Sequence, residues 1–350
     1  MRYRGISIGL AAFAFCIGGA ALFGWILDNE YLKRIYPSLV TMKANTAVCL
    51  MLVAVSVILI NDRSATPTKR AICKIFASIV GLVGLITLSE HVFGWNTGLD
   101  QLLFHESQAA AGLSFPGRMG VAASLNFFFF GIALYLFDAQ AKRWFRISNV
   151  AVLLVVSVTL LVFLYYFYGI EQFEPLAQYF TIALHTVVAF LCLCTATLLA
   201  RPDRGFVATL LGNSPGAVVA RRMLPAFLVV ILLGWIRTMT RSAGVFSPGF
   251  ATAFFVVAVL LLLAVLIWLT ALSLNRTDRE RHAAGLALRA SEARLTVLVR
   301  VSGLSRTIQD PYELSYAVAE TVGSHLNVRR CLFNETDIER DIEIVHRDYT

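Results

Sequence analysis

A chain of 350 residues that is 58% hydrophobic and only 15% charged, with a mean hydropathy of +0.71, is too apolar for a soluble fold. Its net charge of +8 is unevenly spread: residues 1–272 hold 19 Lys/Arg against 10 Asp/Glu, and residues 273–350 hold 11 against 12. The basic excess belongs to the apolar part, where it reads as an orientation signal and not as a nucleic-acid patch.

In chain order, the first apolar run follows Met1-Arg2-Tyr3-Arg4 and is long, with no small-residue cleavage site, so it is expected to be a retained helix rather than a signal peptide. A membrane helix needs about 20 mostly apolar residues. Segments near 6–27, 45–60, 72–89, 119–137, 147–169, 180–200 and 250–272 qualify or come close, and Met223–Ile236 is a shorter eighth that either spans or re-enters. With eight spans and both ends inside, 13 Lys/Arg fall on the cytoplasmic side and 6 outside, the sense of the positive-inside rule. The expected fold is therefore an α-helical polytopic protein of about eight transmembrane helices in four repeated pairs, with the lipid bilayer as its first partner.

The pairs are visible as a recurring pattern, a polar lead-in followed by an apolar helix. Asn45-Thr46-Ala47 aligns with Ala122-Ala123-Ser124, His185-Thr186-Val187 and Ala251-Thr252-Ala253, at spacings of 77, 63 and 66 residues. Such spacings suit two membrane helices plus their loops. Between spans, the long external stretch 90–118 contains an apolar Leu99–Phe104 expected to form a short interfacial helix, with Phe93 and Trp95 at headgroup level. The loop Gly169–Phe180 is acidic and aromatic, and 201–222 carries an Arg-Pro-Asp-Arg and a Gly-Asn-Ser-Pro-Gly turn. The six cysteines lie mostly in apolar runs, form no C-x-x-C and give no disulfide framework.

After residue 272 the composition turns charged. Residues 273–305 read as a helix leaving the membrane, with Leu288 and Leu295 one heptad apart. Asp310-Pro311-Tyr312-Glu313 opens a further helix over Tyr312–Leu326, followed by a strand Val328–Asn334, a charged turn Glu335–Asp341 and a strand Ile342–His346. One helix and two strands bury too little for a core, so this tail is expected to be the start of a larger domain or to need a partner.

Several of these stretches carry a resemblance. Met42-x-x-Asn45-Thr46-Ala47, the loop Phe93-Gly94-Trp95-Asn96-Thr97-Gly98-Leu99-Asp100, Pro116-Gly117-Arg118-Met119, Ala183-Leu184-His185-Thr186, Asn213-Ser214-Pro215-Gly216 and the exit Asn275-Arg276-x-Asp278-Arg279-Glu280-Arg281 resemble the multi-span membrane sensor region of bacterial sensor histidine kinases. The tail 306–350 is similar to the beginning of a GAF domain. The resemblance implies a sensory input module of a two-component system in the bacterial inner membrane, with cytoplasmic termini and a homodimeric state. It also implies downstream kinase domains and a response regulator. It divides the chain into a sensor domain at 1–272, a signalling helix at 273–305 and an incomplete, truncated α+β GAF-like start at 306–350. The alternatives are a small-molecule transporter and the sensor region of a cyclic-dinucleotide signalling protein.

No nucleophile elbow, phosphate loop, paired catalytic carboxylates or His-Glu-x-x-His is present, so no catalytic residue, cofactor or metal site is expected. The candidate sensing residues are polar groups in or beside spans. His185 is the foremost, since an ionisable group near a span is a functional candidate; helix capping or interhelical bonding, proton sensing, and metal or haem ligation are its open readings. Asn45 and Thr46 are expected to cap a helix and bond a neighbour. Glu90 and His91 end the third span, either as a solvated helix end or against a ligand. Asp100 is a turn residue or, as the family-like motif residue, shapes an external pocket. Arg237 and Arg241 near the last hairpin are weaker candidates for an anion.

Overall fold

A computed structural model describes residues 2–36, 39–62, 66–105, 115–138, 141–168, 182–212, 214–244, 246–337 and 342–350. The chain divides into two compact units, Met1–Leu266 and Ile267–Thr350.

In the first unit the helices are α1 (Arg2–Ile26), the short α2 (Glu30–Lys33), α3 (Ala44–Ile60), α4 (Pro67–Phe93), α5 (Val121–Leu136), α6 (Lys142–Phe167), α7 (Leu184–Leu199), the short α8 (Gly205–Leu211), α9 (Pro215–Ser242) and the first part of α10 (Pro248–Thr307). Among the described residues, five helices are long and apolar enough to cross a membrane: Tyr3–Ile26, Pro67–Phe93, Arg143–Phe167, Gly216–Arg241 and Gly249–Leu272. Three of the eight expected spans, α3, α5 and α7, are apolar but only 16 or 17 residues long. At 1.5 Å per residue they measure about 24–26 Å. The segment Met223–Ile236, short as an apolar run, sits inside a 28-residue helix because arginine-bearing turns at both ends continue it.

Six helices form the packed part. α1 lies against α3 and α7, α4 against α3 and α5, and α6 against α5 and α7, while α3 also touches α5 and α7. Phe127, Phe130 and Phe190 are fully buried, with the Phe190 ring 5.0 Å from Phe127 and 6.0 Å from Phe130. Polar side chains tie helices together inside this apolar packing, as expected where apolar burial discriminates little between neighbours. Ser7 Oγ donates to Ala196 O (2.6 Å), Asn61 Nδ2 to Ser7 Oγ (2.9 Å), Asn126 Nδ2 to Thr159 Oγ1 (3.0 Å) and Ser148 Oγ to Ala133 O (2.7 Å). The closest approach is between α4 and α5, where a Cβ on Gly131 would lie 2.7 Å from Gly81 N and 2.8 Å from Ala77 O. Only glycine fits there.

The repeat alignment places helix starts accurately. α3, α5 and α7 begin at Ala44, Val121 and Leu184, each one residue before the aligned Asn45, Ala122 and His185. The fourth begins three residues before Ala251, at Pro248, where the Ser247 hydroxyl accepts from Phe250 N (3.4 Å). Leu99–Phe104 is not the expected short helix but a single 3-10 turn, Leu99–Gln101, because its side chains and backbone are taken up by tertiary contacts described below. Between the two turns of 201–222 stands α8. The loop 169–181 and the segment 106–114 lie outside the described residues.

The second unit holds the end of α10, then α11 (Pro311–Leu326) and the antiparallel strands β1 (Cys331–Asp337) and β2 (Ile342–Tyr349). The expected helix over 273–305 is present as the continuation of the last apolar helix: α10 runs unbroken for 60 residues. Asp310 caps α11 as its sequence anticipates, its Oδ1 accepting from Tyr312 N at 3.2 Å. α11 packs on both strands. Glu335-Thr336-Asp337, expected in a turn, extend β1 instead, paired through Glu335 with Ile344 and Asp337 with Ile342.

Candidate functional site

The last turn of α4 sets the site. Thr66 and Pro67 start α4, and it ends at Gly94, whose N–H returns to Glu90 O (3.0 Å). This fixes Glu90 and His91 one turn from the end. Glu90 is fully buried, so it is not the solvated helix end that its position suggests. Its Oε1 accepts from Thr97 N (2.8 Å) and Thr97 Oγ1 (2.6 Å), which folds the Trp95–Gly98 loop back over it. His91 Nε2 lies 2.8 Å from Met119 O; a carbonyl only accepts, so this nitrogen carries the proton.

The loop then delivers Asp100 in the 3-10 turn Leu99–Gln101, buried and bonded to Arg118: Arg118 Nε donates to Asp100 Oδ2 (2.7 Å) and Nη2 to Trp95 O (3.1 Å). Glu90 Oε2 lies 3.6 Å from the same Nε, and the guanidinium covers the Phe115 ring at 4.0 Å. One buried arginine thus joins two buried carboxylates. Burial pushes the Asp100 carboxyl above the ordinary aspartate range, with Glu90 adding to the shift and Arg118 opposing it. Gly117 makes the approach possible: its φ is +79°, and a Cβ there would lie 2.5 Å from Asp100 O. Gly117→Ala is expected to cost about 2 kcal/mol or more, from the left-handed backbone and the clash together. Thermal unfolding of the purified chain reads this directly, and an unchanged midpoint would count against the geometry.

Asn45 and Thr46 do not cap α3. The N-cap is Lys43, which makes no side-chain cap bond, and Asn45 Nδ2 instead donates to Leu99 O (2.9 Å), pinning the Asp100 turn. His185 does not cap α7 either: the cap position is Ala183, and His185 Nε2 is buried with no hydrogen-bond partner among the described residues. Neither α5 nor α7 has a capping side chain.

These uncapped starts converge on one cavity of about 240 Å³. Lys43 and Thr46 from α3, Gly120 and Ala123 from α5, and Ala183 and Thr186 from α7 line it, the N-cap and third residue of every one of the three repeat-related helices. Glu90, His91 and Arg118 line it from the other side. Two of the lining residues carry a buried oxygen, Glu90 Oε2 and Thr186 Oγ1, with no hydrogen-bond partner among the described residues.

Of the sequence candidates, Thr46, Glu90 and His91 reach the cavity; Asn45 and Asp100 stand directly behind it; His185 neighbours it through Thr186 without lining it. Arg237 is elsewhere, donating from Nη2 to Thr252 Oγ1 (3.0 Å) between α9 and α10. Lys43, Arg118 and Thr186 are the site residues that sequence reasoning missed. Thr186 had a signal, since the repeat alignment sets it on Thr46. Arg118 had one too, as a lone cation beside an acidic external stretch.

Among the described residues no group of three or more His, Cys, Asp or Glu is placed to hold a metal ion. No protein-family model matches the chain, and no curated protein or solved structure matches it, so its function is argued from its geometry.

Proposed function

We propose that this chain is the membrane-embedded sensory input module of a bacterial signalling protein, of the kind that precedes a sensor histidine kinase. The observation that carries the proposal is the charged recess at the meeting point of three repeat-related helix starts. A bilayer core is about 30 Å thick. Helices of about 24–26 Å that start beneath the outer surface would leave such a recess in the external leaflet, with all eight apolar helices crossing and both termini cytoplasmic. Occupancy of the recess would favour one arrangement of the helix ends over another, a population shift.

α10 is the element suited to carry the change inward, because the last apolar helix and the charged helix after it are continuous. Leu288 and Leu295 are exposed on it one heptad apart, which supports a homodimeric contact there. α11 with β1 and β2 would be the opening of a GAF-like domain, and the output kinase and its response regulator would act downstream.

Single cysteines at Leu288 and Leu295 in native membranes test this. Oxidation is expected to cross-link two copies at one or both positions, and Glu90→Gln or Thr186→Val is expected to change the cross-linking rate about threefold or more, a shift of at least about 0.6 kcal/mol. Identical rates with intact and altered cavities would sink the proposal, as would saturable solute uptake by the purified chain in liposomes.

A further inference from the structure

We propose that the cavity binds a small α-amino or α-hydroxy acid with a short apolar side chain, its carboxylate on the three helix starts and its donor group on Glu90. The proposal rests on the sensory reading of the same cavity and names what it senses.

The carboxylate end follows from the backbone. The first intrahelical bonds of the three helices are Ala47 N to Lys43 O, Ser124 N to Gly120 O, and Thr186 N and Val187 N to Ala183 O. The N–H groups before them are left over by the helix, and the cap residues Lys43, Gly120 and Ala183 make no side-chain bond to them. Each start also carries a partial positive charge of about half a unit. Helix starts alone would not define a ligand; Thr186, a lining residue whose buried hydroxyl is unpartnered among the described residues, adds a donor. Lys43 and Arg118 balance Glu90 and Asp100 in formal charge, so the helix starts decide the sign of the field, and it favours one negative charge.

The donor end follows from Glu90. Its Oε1 is taken by Thr97, whereas Oε2, on a residue that lines the cavity, accepts no hydrogen bond from the described residues; Arg118 Nε, 3.6 Å away, is directed to Asp100. A buried carboxylate oxygen in that state calls for an ammonium or hydroxyl donor on the ligand. An amino or hydroxyl group next to the ligand's own carboxylate is the simplest molecule that meets both ends. Met42, Phe115, Met119 and Ile182 give the rest of the wall an apolar character.

Calorimetric titration of the full chain in lipid nanodiscs with four probes tests this: L-valine, 2-hydroxy-3-methylbutanoate, 3-methylbutanoate and inorganic phosphate. Valine, the hydroxy acid or both are expected to bind, and 3-methylbutanoate, which lacks only the donor, about tenfold more weakly or worse, the ratio one hydrogen bond to a charged group gives. Thr186→Val, which keeps the side-chain shape, is expected to weaken the bound acid by a similar factor without moving the unliganded unfolding midpoint. Equal binding of 3-methylbutanoate, binding of phosphate alone, or no binding by any probe would overturn the proposal. The two readings fail separately. Cross-linking of α10 that responds to Glu90→Gln while no acid binds removes the ligand class and leaves the sensor. Acid binding with cross-linking unresponsive to both the acid and the variant removes the sensor and leaves the site.

Discussion

Arg118→Met is expected to destabilise the first unit by about 3–5 kcal/mol, the usual cost of removing one partner from a buried ionic group. The arginine is buried with Asp100 at 2.7 Å and Glu90 at 3.6 Å, so its loss leaves two carboxylates in a low-dielectric site. Methionine keeps much of the stem volume, which makes the effect electrostatic rather than a cavity. Adding Asp100→Asn and Glu90→Gln to the same chain is expected to recover at least about half of the loss, because a neutral cluster carries no unpaired charge. The deficit also has a pH dependence of known sign. Burial already raises the Asp100 carboxyl. A carboxyl raised in the folded state gives its full stabilisation below the unfolded value of about 3.9 and loses it as pH rises through the folded value. Without Arg118 the shift grows, so the deficit is greatest near pH 8 and narrows toward about pH 5. Unfolding midpoints of the variants in nanodiscs across that range measure this. A deficit that widens on acidification would contradict it.

Gly131→Val is the second large effect. A side chain at this position meets the backbone of Gly81 and Ala77, which cannot rotate away as a flexible side chain would. α4 and α5 must separate, and with them the end of α4 that holds Glu90 and the start of α5 that holds Gly120 and Ala123. The expected cost exceeds about 3 kcal/mol, beyond ordinary overpacking. Gly19→Val is the matching control: nothing lies within 4 Å of a Cβ there, so its effect is expected to stay within about 1 kcal/mol. Similar midpoints for the two variants would mean that the α4–α5 crossing is looser than the glycine contact requires.

Helix content and helix starts were legible in the sequence because they depend on local pattern. The aligned triplets at Asn45, Ala122 and His185 each stand one residue inside an observed helix, and the Asp310-Pro311 start of α11 is a matter of two adjacent residues. Helix ends were less legible: the apolar count stops at Met223 and Ile236, but the helix carries on through arginine-bearing turns that compositional thresholds discard. The site was legible only in part. Thr46, Glu90 and His91 belong to the cavity, yet Glu90 looked like an exposed helix end because its burial comes from Thr97 and Arg118, 7 and 28 residues further on. Capping was one reading of Asn45 and His185 because they sit near helix starts; the actual cap positions are Lys43 and Ala183, while the neighbour bond expected of Asn45 is to a carbonyl 54 residues away. The recurrence of the lead-in signalled architecture. That the recurring starts share one cavity is a fact of packing, which no single lead-in contains.

Three repeat-related helix starts share one cavity, and the proposed site requires it to be positive in character and open to small molecules. Ala123→Cys, Thr46→Cys and Thr186→Cys place a thiol on each of the three starts in turn, all lining the cavity. In native membranes, each is expected to react with the anionic sulfonatoethyl methanethiosulfonate about tenfold faster than with its trimethylammonium counterpart, as field focusing in a charged recess predicts. Preference for the cationic reagent at these positions, or no reaction above that of the unaltered chain, would contradict the account.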